Sequence, residues 1–311
     1  MNLFVIHNSS YLNIVGHKRI FLSTSAILVL ASLVAIVFWG LKLGIDFTGG
    51  SLLEVEFAGT RPEVSAIKNI LVKTSMENAT IQPAGDKSLI LRFGDIGQEE
   101  HIRLLDLLRS LSGGEVVEKR FDSIGPTIGA ELKKGAITSL ALAIIGIVLY
   151  IAWTFRGVSE PVASWKYGVV AVAALVHDIT IPTGIFAILG KFGGIEIDTL
   201  FITALLTILG FSVHDTIVVF DRIRENLRKQ KNGQFEEVVN HSMNETMARS
   251  VNTSLTVLLV VLAIFFFGAS TTKWFSLALG LGVIFGTYSS IFVASPLLVL
   301  WHGISKRKQN G

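Results

Sequence analysis

Residues Thr199 to Phe220 read TLFITALLTILGFSVHDTIVVF, twenty-two positions with a single formally charged side chain, Asp215. Roughly 20 consecutive, mostly apolar residues cross a hydrocarbon core about 30 Å thick, so this stretch is a membrane span with a carboxylate inside it. Five more segments read the same way: Ile20 to Trp39, Gly135 to Phe155, Tyr167 to Leu189, Asn252 to Phe267 and Trp274 to Leu300. The composition agrees. With 50% hydrophobic and 16% charged residues and a mean hydropathy of +0.59, the chain is too apolar for a soluble domain of 311 residues.

Short loops rich in Lys and Arg mark the cytoplasmic side. Lys18 and Arg19 precede the first span, Arg156 and Lys166 flank the second connection, Arg222, Arg224, Arg228, Lys229 and Lys231 follow the fourth span, and Lys306, Arg307 and Lys308 close the chain. Both termini are therefore expected in the cytoplasm. The opposite loops carry Lys191 and Lys273, with Lys133 and Lys134 as a local exception partly offset by Glu131. The first span is long enough, and free enough of a small-residue cleavage site, to be a retained anchor. The basic clusters are topology determinants at a lipid surface and not a nucleic-acid patch. Cysteine is absent, so no disulfide supports the outer segment.

That outer segment, residues 41–132, differs in charge and periodicity from the rest. Ser51 to Phe57, Thr80 to Gln82, Leu89 to Phe93 and Val116 to Phe121 read as strands. Glu63 to Met76, with Val64, Ile67, Ile70 and Leu71 at helical spacing, and Gln98 to Leu111, with Ile102, Leu105 and Leu108 on one face, read as helices. The order βαββαβ predicts a ferredoxin-like α+β domain between the first and second helices of a six-span, polytopic α-helical membrane protein, a fold that specifies no activity by itself. Ten Lys/Arg against fourteen Asp/Glu make the domain mildly acidic, which argues against a nucleic-acid face. The expected organisation is a cytoplasmic N-terminus and first span over 1–40, the outer domain over 41–132, a five-helix bundle over 133–302 with a cytoplasmic amphipathic segment about 221–250, and a basic tail over 303–311.

An ionisable group near the middle of a span costs at least about 2.5 to 3.5 kcal/mol. Asp215 lies six residues before Asp221 at the cytoplasmic edge, hence roughly 9 Å inside at about 1.5 Å per residue, and Asp178 lies at comparable depth. Each is preceded by a histidine, His177 or His214, and the two carboxyls could share one polar pocket. Desolvation disfavours the charged form of such groups, which is what proton exchange requires. The plainer account is an aspartate hydrogen-bonded to a neighbouring helix. Arg249, at the cytoplasmic entrance of the fifth span, could reach Asp215 or snorkel to lipid phosphate. His177 and His214 make poor metal ligands, because no third histidine lies nearby in a span. No Gly-x-x-x-x-Gly-Lys-Ser/Thr loop is present for nucleotide phosphate. Ala278, Gly282, Gly286, Ser290 and Ala294 place a small residue at every fourth position of the last span, a face for close helix approach either within the chain or to a second subunit.

Three motifs are distinctive: Gly44-Ile-Asp46-Phe-Thr-Gly49-Gly50, Gly125-Pro126-Thr-Ile-Gly129 with Glu131-Leu132, and Gly210-Phe-Ser-Val-His-Asp-Thr-Ile-Val-Val-Phe-Asp-Arg-Ile-Arg-Glu-Asn226. With Arg249-Ser-Val-Asn-Thr-Ser-Leu255 and Phe285-Gly-Thr-Tyr-Ser-Ser-Ile-Phe-Val-Ala-Ser295 they closely resemble the SecF family over nearly the whole chain. The resemblance implies the six-span half of a resistance-nodulation-division-type transporter in the bacterial inner membrane. Its implied partners are SecD, the SecYEG channel and translocating unfolded preproteins. It implies no enzymatic reaction and no cofactor, with the proton as coupling ion, although some relatives use sodium, and late translocation driven by the proton motive force. It places the proton-coupling residues at Asp215 and Arg249. Many relatives carry Asn where this chain has His214. Gly49, Gly50, Gly125 and Gly129 are either hinges to the membrane or tight turns. A proton-coupled small-molecule exporter and a passive scaffold of the channel are the competing readings.

Overall fold

In a computed structural model the protein is described over residues 12–72, 74, 76–156, 162–229 and 234–309. Lys231 and the ends of the two tails lie outside the described residues, as do the side chains of Lys306, Arg307 and Lys308. The elements run α1 (Lys18–Trp39), α2 (Ile45–Thr48), β1 (Gly50–Phe57), α3 (Val64–Leu71), β2 (Thr80–Ala84), β3 (Ser88–Phe93), α4 (Gln98–Ser112), β4 (Val116–Ile124), α5 (Pro126–Thr154), α6 (Ser164–Gly193), α7 (Thr199–Lys229), α8 (Phe235–Phe267), α9 (Ser270–Ser289), a π-helical turn (Ser290–Ala294) and α10 (Ser295–Gln309).

Two compact units emerge. One comprises residues 41–139 together with 189–199. Its sheet has the antiparallel order β2-β3-β1-β4 expected of a ferredoxin-like βαββαβ chain. β1 alternates as a half-buried strand must, so Leu53, Val55 and Phe57 point into the core with Leu89, Leu91, Ile67 and Leu71. α4 is rotated from the expected face: His101, Leu104, Leu105 and Leu108 are buried and Ile102 is half exposed. Positions 101, 104, 105 and 108 are the i, i+3, i+4, i+7 set, and Ile102 lies about 100° off it. His101 stays buried because its Nε2 meets Glu118 at 3.0 Å and its ring stacks on Phe121. α3 ends at Leu71, earlier than the periodicity suggested, and a turn returns Met76 to the core.

The other unit holds residues 1–40, 140–188 and 200–311. Among the described residues, six helical stretches are long and apolar enough to cross a membrane, which makes this a multi-pass membrane protein. Most outlast the hydrophobic run that announces them: α5 starts at Pro126, α7 continues to Lys229, and α8 joins the amphipathic segment and the fifth span in one helix from Phe235. Arg222 on α7 grips Glu245 on α8 through two hydrogen bonds of 2.8 Å, and Asn240 and Asn244 on α8 bind the backbone of Leu12, Ile14 and Val15. α6, α7 and the α9–α10 pair form the buried centre, whereas α1, α5 and α8 turn residues such as Val37, Leu149 and Phe267 outward.

The small-residue face of the last span packs inside the chain. A Cβ on Gly282 would lie 2.0 Å from Ile208 Cγ1 of α7, and one on Gly286 would lie 3.3 Å from Ser212 Cβ. Ala278, Ser290 and Ala294 are fully buried on the same stripe.

Candidate functional site

Asp178 on α6 is fully buried and Asp215 on α7 is nearly so. A charge in such surroundings needs donors, and each carboxylate has its own set. Asp178 Oδ1 accepts from His177 Nδ1 at 2.7 Å; its Oδ2 accepts from Ser289 Oγ at 2.7 Å and from Ser212 Oγ. Asp215 Oδ1 accepts from Ser250 Oγ of α8 at 3.1 Å, and its Oδ2 from Ser290 Oγ at 3.3 Å. Ser289 and Ser290 are therefore consecutive residues serving different carboxylates. They sit where α9 passes into the π-helical turn, a local irregularity that often marks functional positions.

The imidazole of His177 is equally enclosed. Its Nε2 has no hydrogen-bond partner among the described residues, and its ring stacks on Tyr288 at 6.0 Å and meets Phe285 edge-on at 6.3 Å. His214 and Arg249 are exposed. Arg249 makes no ion pair with Asp215 here; the next residue on α8, Ser250, turns inward instead, one helical step of about 100° away. The structure thus brings Asp215 and Asp178 to opposite sides of one serine pair and leaves His214 and Arg249 outside it.

The serines were the residues that composition did not flag. Ser290 stands in the packing stripe and in the motif from Phe285 to Ser295, with no task of its own marked in either. Ser212, three positions before Asp215, and Ser250, beside Arg249, carry a signal available in retrospect: hydroxyls within one turn of an intramembrane charge.

The glycine-rich motif forms a second constellation, in the unit holding the sheet. Asp46 Oδ2 accepts from the Thr199 backbone N–H at 2.8 Å and from Thr199 Oγ1 at 2.6 Å, so it caps the first residue of α7 from outside the helix. Gly44 N–H donates to Ile197 O at 2.9 Å and Ile197 N–H to Lys42 O at 2.8 Å, a short parallel bridge. Glu196 pairs with Arg92 at 2.7 Å and Lys42 at 3.3 Å. Burial pulls the Arg92 guanidinium below its ordinary value while Glu196 works against that; Arg92 nonetheless remains cationic, and the pair holds. Gly49 has φ +72°, and a Cβ there would lie 2.8 Å from Pro126 Cα; a Cβ on Gly129 would lie 2.7 Å from Gly49 N. The motifs around Gly49 and around Pro126 are thus the two halves of one backbone contact. Gly125 has open space around it and no such constraint.

Replacing Asp46 by alanine should cost about 0.5–2 kcal/mol, the range for a lost helix cap. Hydrogen exchange at the amides of Thr199 to Thr203 should accelerate, with Asp46→Asn intermediate because it keeps one acceptor.

Residues 104–303 match the family model described as Protein export membrane protein SecD/SecF, C-terminal, and residues 34–60 match SecD/SecF GG Motif. The chain is 43% identical over 303 residues to the protein translocase subunit SecF of Thermobaculum terrenum, covering 93% of this chain and 94% of that one. It is 40% identical to the SecF of Anaerolinea thermophila, again covering 93% and 94%. Among solved structures, SecDF of Thermus thermophilus, a translocon-associated membrane protein, superposes with a TM-score of 0.83 at 32% identity. That likeness covers 97% of this chain and 40% of the SecDF chain.

Proposed function

Because the chain belongs to the SecD/SecF family of protein-export membrane proteins, we propose that it is the SecF-type half of an accessory complex that uses the proton motive force to promote late steps of export through the SecYEG channel. Its partner is a SecD-type subunit in the bacterial inner membrane, both of its termini are cytoplasmic, and its client is the emerging unfolded chain. The coupling ion is the proton and no other cofactor takes part.

The observation that carries this reading is Asp215: a carboxylate inside a span, held by two neutral hydroxyls and in no ion pair among the described residues. In this state the group can take up a proton without breaking an ion pair. In the cycle Asp215 takes a proton from the outer side and releases it inward; Arg249 turns in to the carboxylate in one state and out in the other. Asp178 and His214 assist as further polar groups on the path. The helix rearrangement moves the outer domain, which holds emerging chain and discourages backsliding.

A proton crossing 100 mV yields about 2.3 kcal/mol. Driving a two-state element from 1:99 to 99:1 needs about 5.5 kcal/mol, so one stroke uses more than one proton, a larger gradient or a less complete shift.

The test is export of a secreted precursor into membrane vesicles containing channel, partner and either native chain or Asp215→Asn. The variant should assemble normally and lose the whole gradient-dependent increment, leaving gradient-independent export unchanged. An undiminished increment would favour the scaffold reading.

A further inference from the structure

We propose that His177 and Asp178 form a second proton-holding site, linked to Asp215 through the Ser289–Ser290 pair; this rests on the reading of Asp215 as the coupling residue. Asp178 fixes the imidazole by accepting from Nδ1, which leaves Nε2 with a free lone pair, buried and without a hydrogen-bond partner among the described residues. The unit His177–Asp178 therefore carries a net charge of −1 when the ring is neutral and becomes neutral when it takes one proton, wherever within the pair that proton resides.

The link comes from the number of protons on a hydroxyl. Ser289 Oγ lies within hydrogen-bonding reach of two acceptors, Asp178 Oδ2 at 2.7 Å and Gly286 O at 3.1 Å. Ser290 Oγ likewise faces Asp215 Oδ2 at 3.3 Å and Thr287 O at 3.0 Å. One O–H cannot serve both fully. Facing an ionised carboxylate, the serine donates to it; facing a protonated one, it accepts from the acid and gives its own hydrogen to the helix carbonyl. Because the two serines are adjacent at the start of the π turn, the backbone hydrogen bonding there differs with the charge state of either carboxyl. The turn is a common reader of both sites, and loading one alters proton affinity at the other.

Among the described residues, no group hydrogen-bonded to or stacked on the pair brings a charge of its own, and the titratable neighbour of the linked Asp215 is His214, exposed on α7. α9 contributes Tyr288, whose hydroxyl is engaged with Ser25 of α1 and Phe21 O, and the aromatic ring of Phe285. α7 contributes the neutral hydroxyl of Ser212 and, beyond the serine pair, Asp215 itself.

The experiment is pH-difference infrared spectroscopy of the full chain with its partner subunit in lipid, following carboxylic-acid and imidazole bands. In Asp215→Asn, a titrating signal should remain that Asp178→Asn removes, and His177→Gln should move its midpoint by at least about one pH unit, tenfold in proton affinity. In the otherwise native chain, Ser289→Ala or Ser290→Ala should make the two titrations independent, and Ser→Thr at either position should restore the coupling because it restores the hydroxyl. Absence of any Asp178-dependent signal in Asp215→Asn, or coupling that survives both alanine variants, would overturn the proposal. Neither result bears on the export increment of Asp215→Asn, so the two readings fail separately.

Discussion

Gly49→Val should unfold the outer α+β domain of the full chain at least about 10 °C below the native midpoint and abolish the export increment with it. Two costs combine. At φ +72° a β-branched residue is strained, at roughly 1–3 kcal/mol. Its Cβ would also sit 2.8 Å from Pro126 Cα and 3.0 Å from Pro126 N, backbone atoms that cannot swing aside as a side chain could. Overpacking of this kind adds about 1–3 kcal/mol, and each kcal/mol shifts the midpoint of a domain this small by about 4–8 °C. Gly125→Ala is the internal control. It stands in the same family motif as Pro126, yet nothing lies within 4 Å of the new methyl, so its midpoint should match the native one within a degree or two. Thermal scans read by hydrogen exchange over residues 50–124 would separate the two variants. Equal, small effects would mean that the glycines are hinges, since a hinge needs freedom and not a fixed close contact.

Hydropathy located the spans because the membrane imposes a length and a composition, and alternation located β1 because Leu53, Val55 and Phe57 must all face one way. Asp215 and Asp178 were legible because charge inside a span is expensive. The serines around them were not, because a hydroxyl in a helix can satisfy itself on a carbonyl one turn back, as Ser254 does on Ser250 O. Nothing local distinguishes that from donation to a carboxylate on another helix. Arg249 is half legible: its place in sequence puts it at the right depth, but which side of α8 faces Asp215 is fixed by the packing of α7 and α9, and in this state Ser250 occupies that side. Asp46 belonged to a recognised motif without a visible task, since its partner Thr199 lies 153 positions away.

The packing stripe predicts the second large effect. In Gly282→Ala the added methyl would overlap Ile208, with Cγ1 at 2.0 Å and Cδ1 at 2.2 Å. Alanine is the better helix former by about 1 kcal/mol, so on propensity alone the substitution would stabilise. Steric overlap wins, because Ile208 is fully buried and a β-branched side chain in a helix is nearly confined to one χ1 rotamer. α9 must therefore move off α7, and seven and eight residues further along the same run lie Ser289 and Ser290. Displacing them withdraws a donor from each carboxylate, so the gradient-dependent export increment should fall at least tenfold together with thermal stability. Ile208→Ala should by itself cost about 2–5 kcal/mol through the cavity it leaves. In the double variant the new methyl fills part of that space, and the loss should be smaller than the sum of the single losses by more than about 1 kcal/mol. Gly210→Ala, on α7 with nothing within 4 Å, should gain stability or leave it unchanged. If Gly282→Ala behaves like Gly210→Ala, α9 and α7 are not in close contact at this level, and the path from helix packing through the serine pair to the two carboxylates is broken.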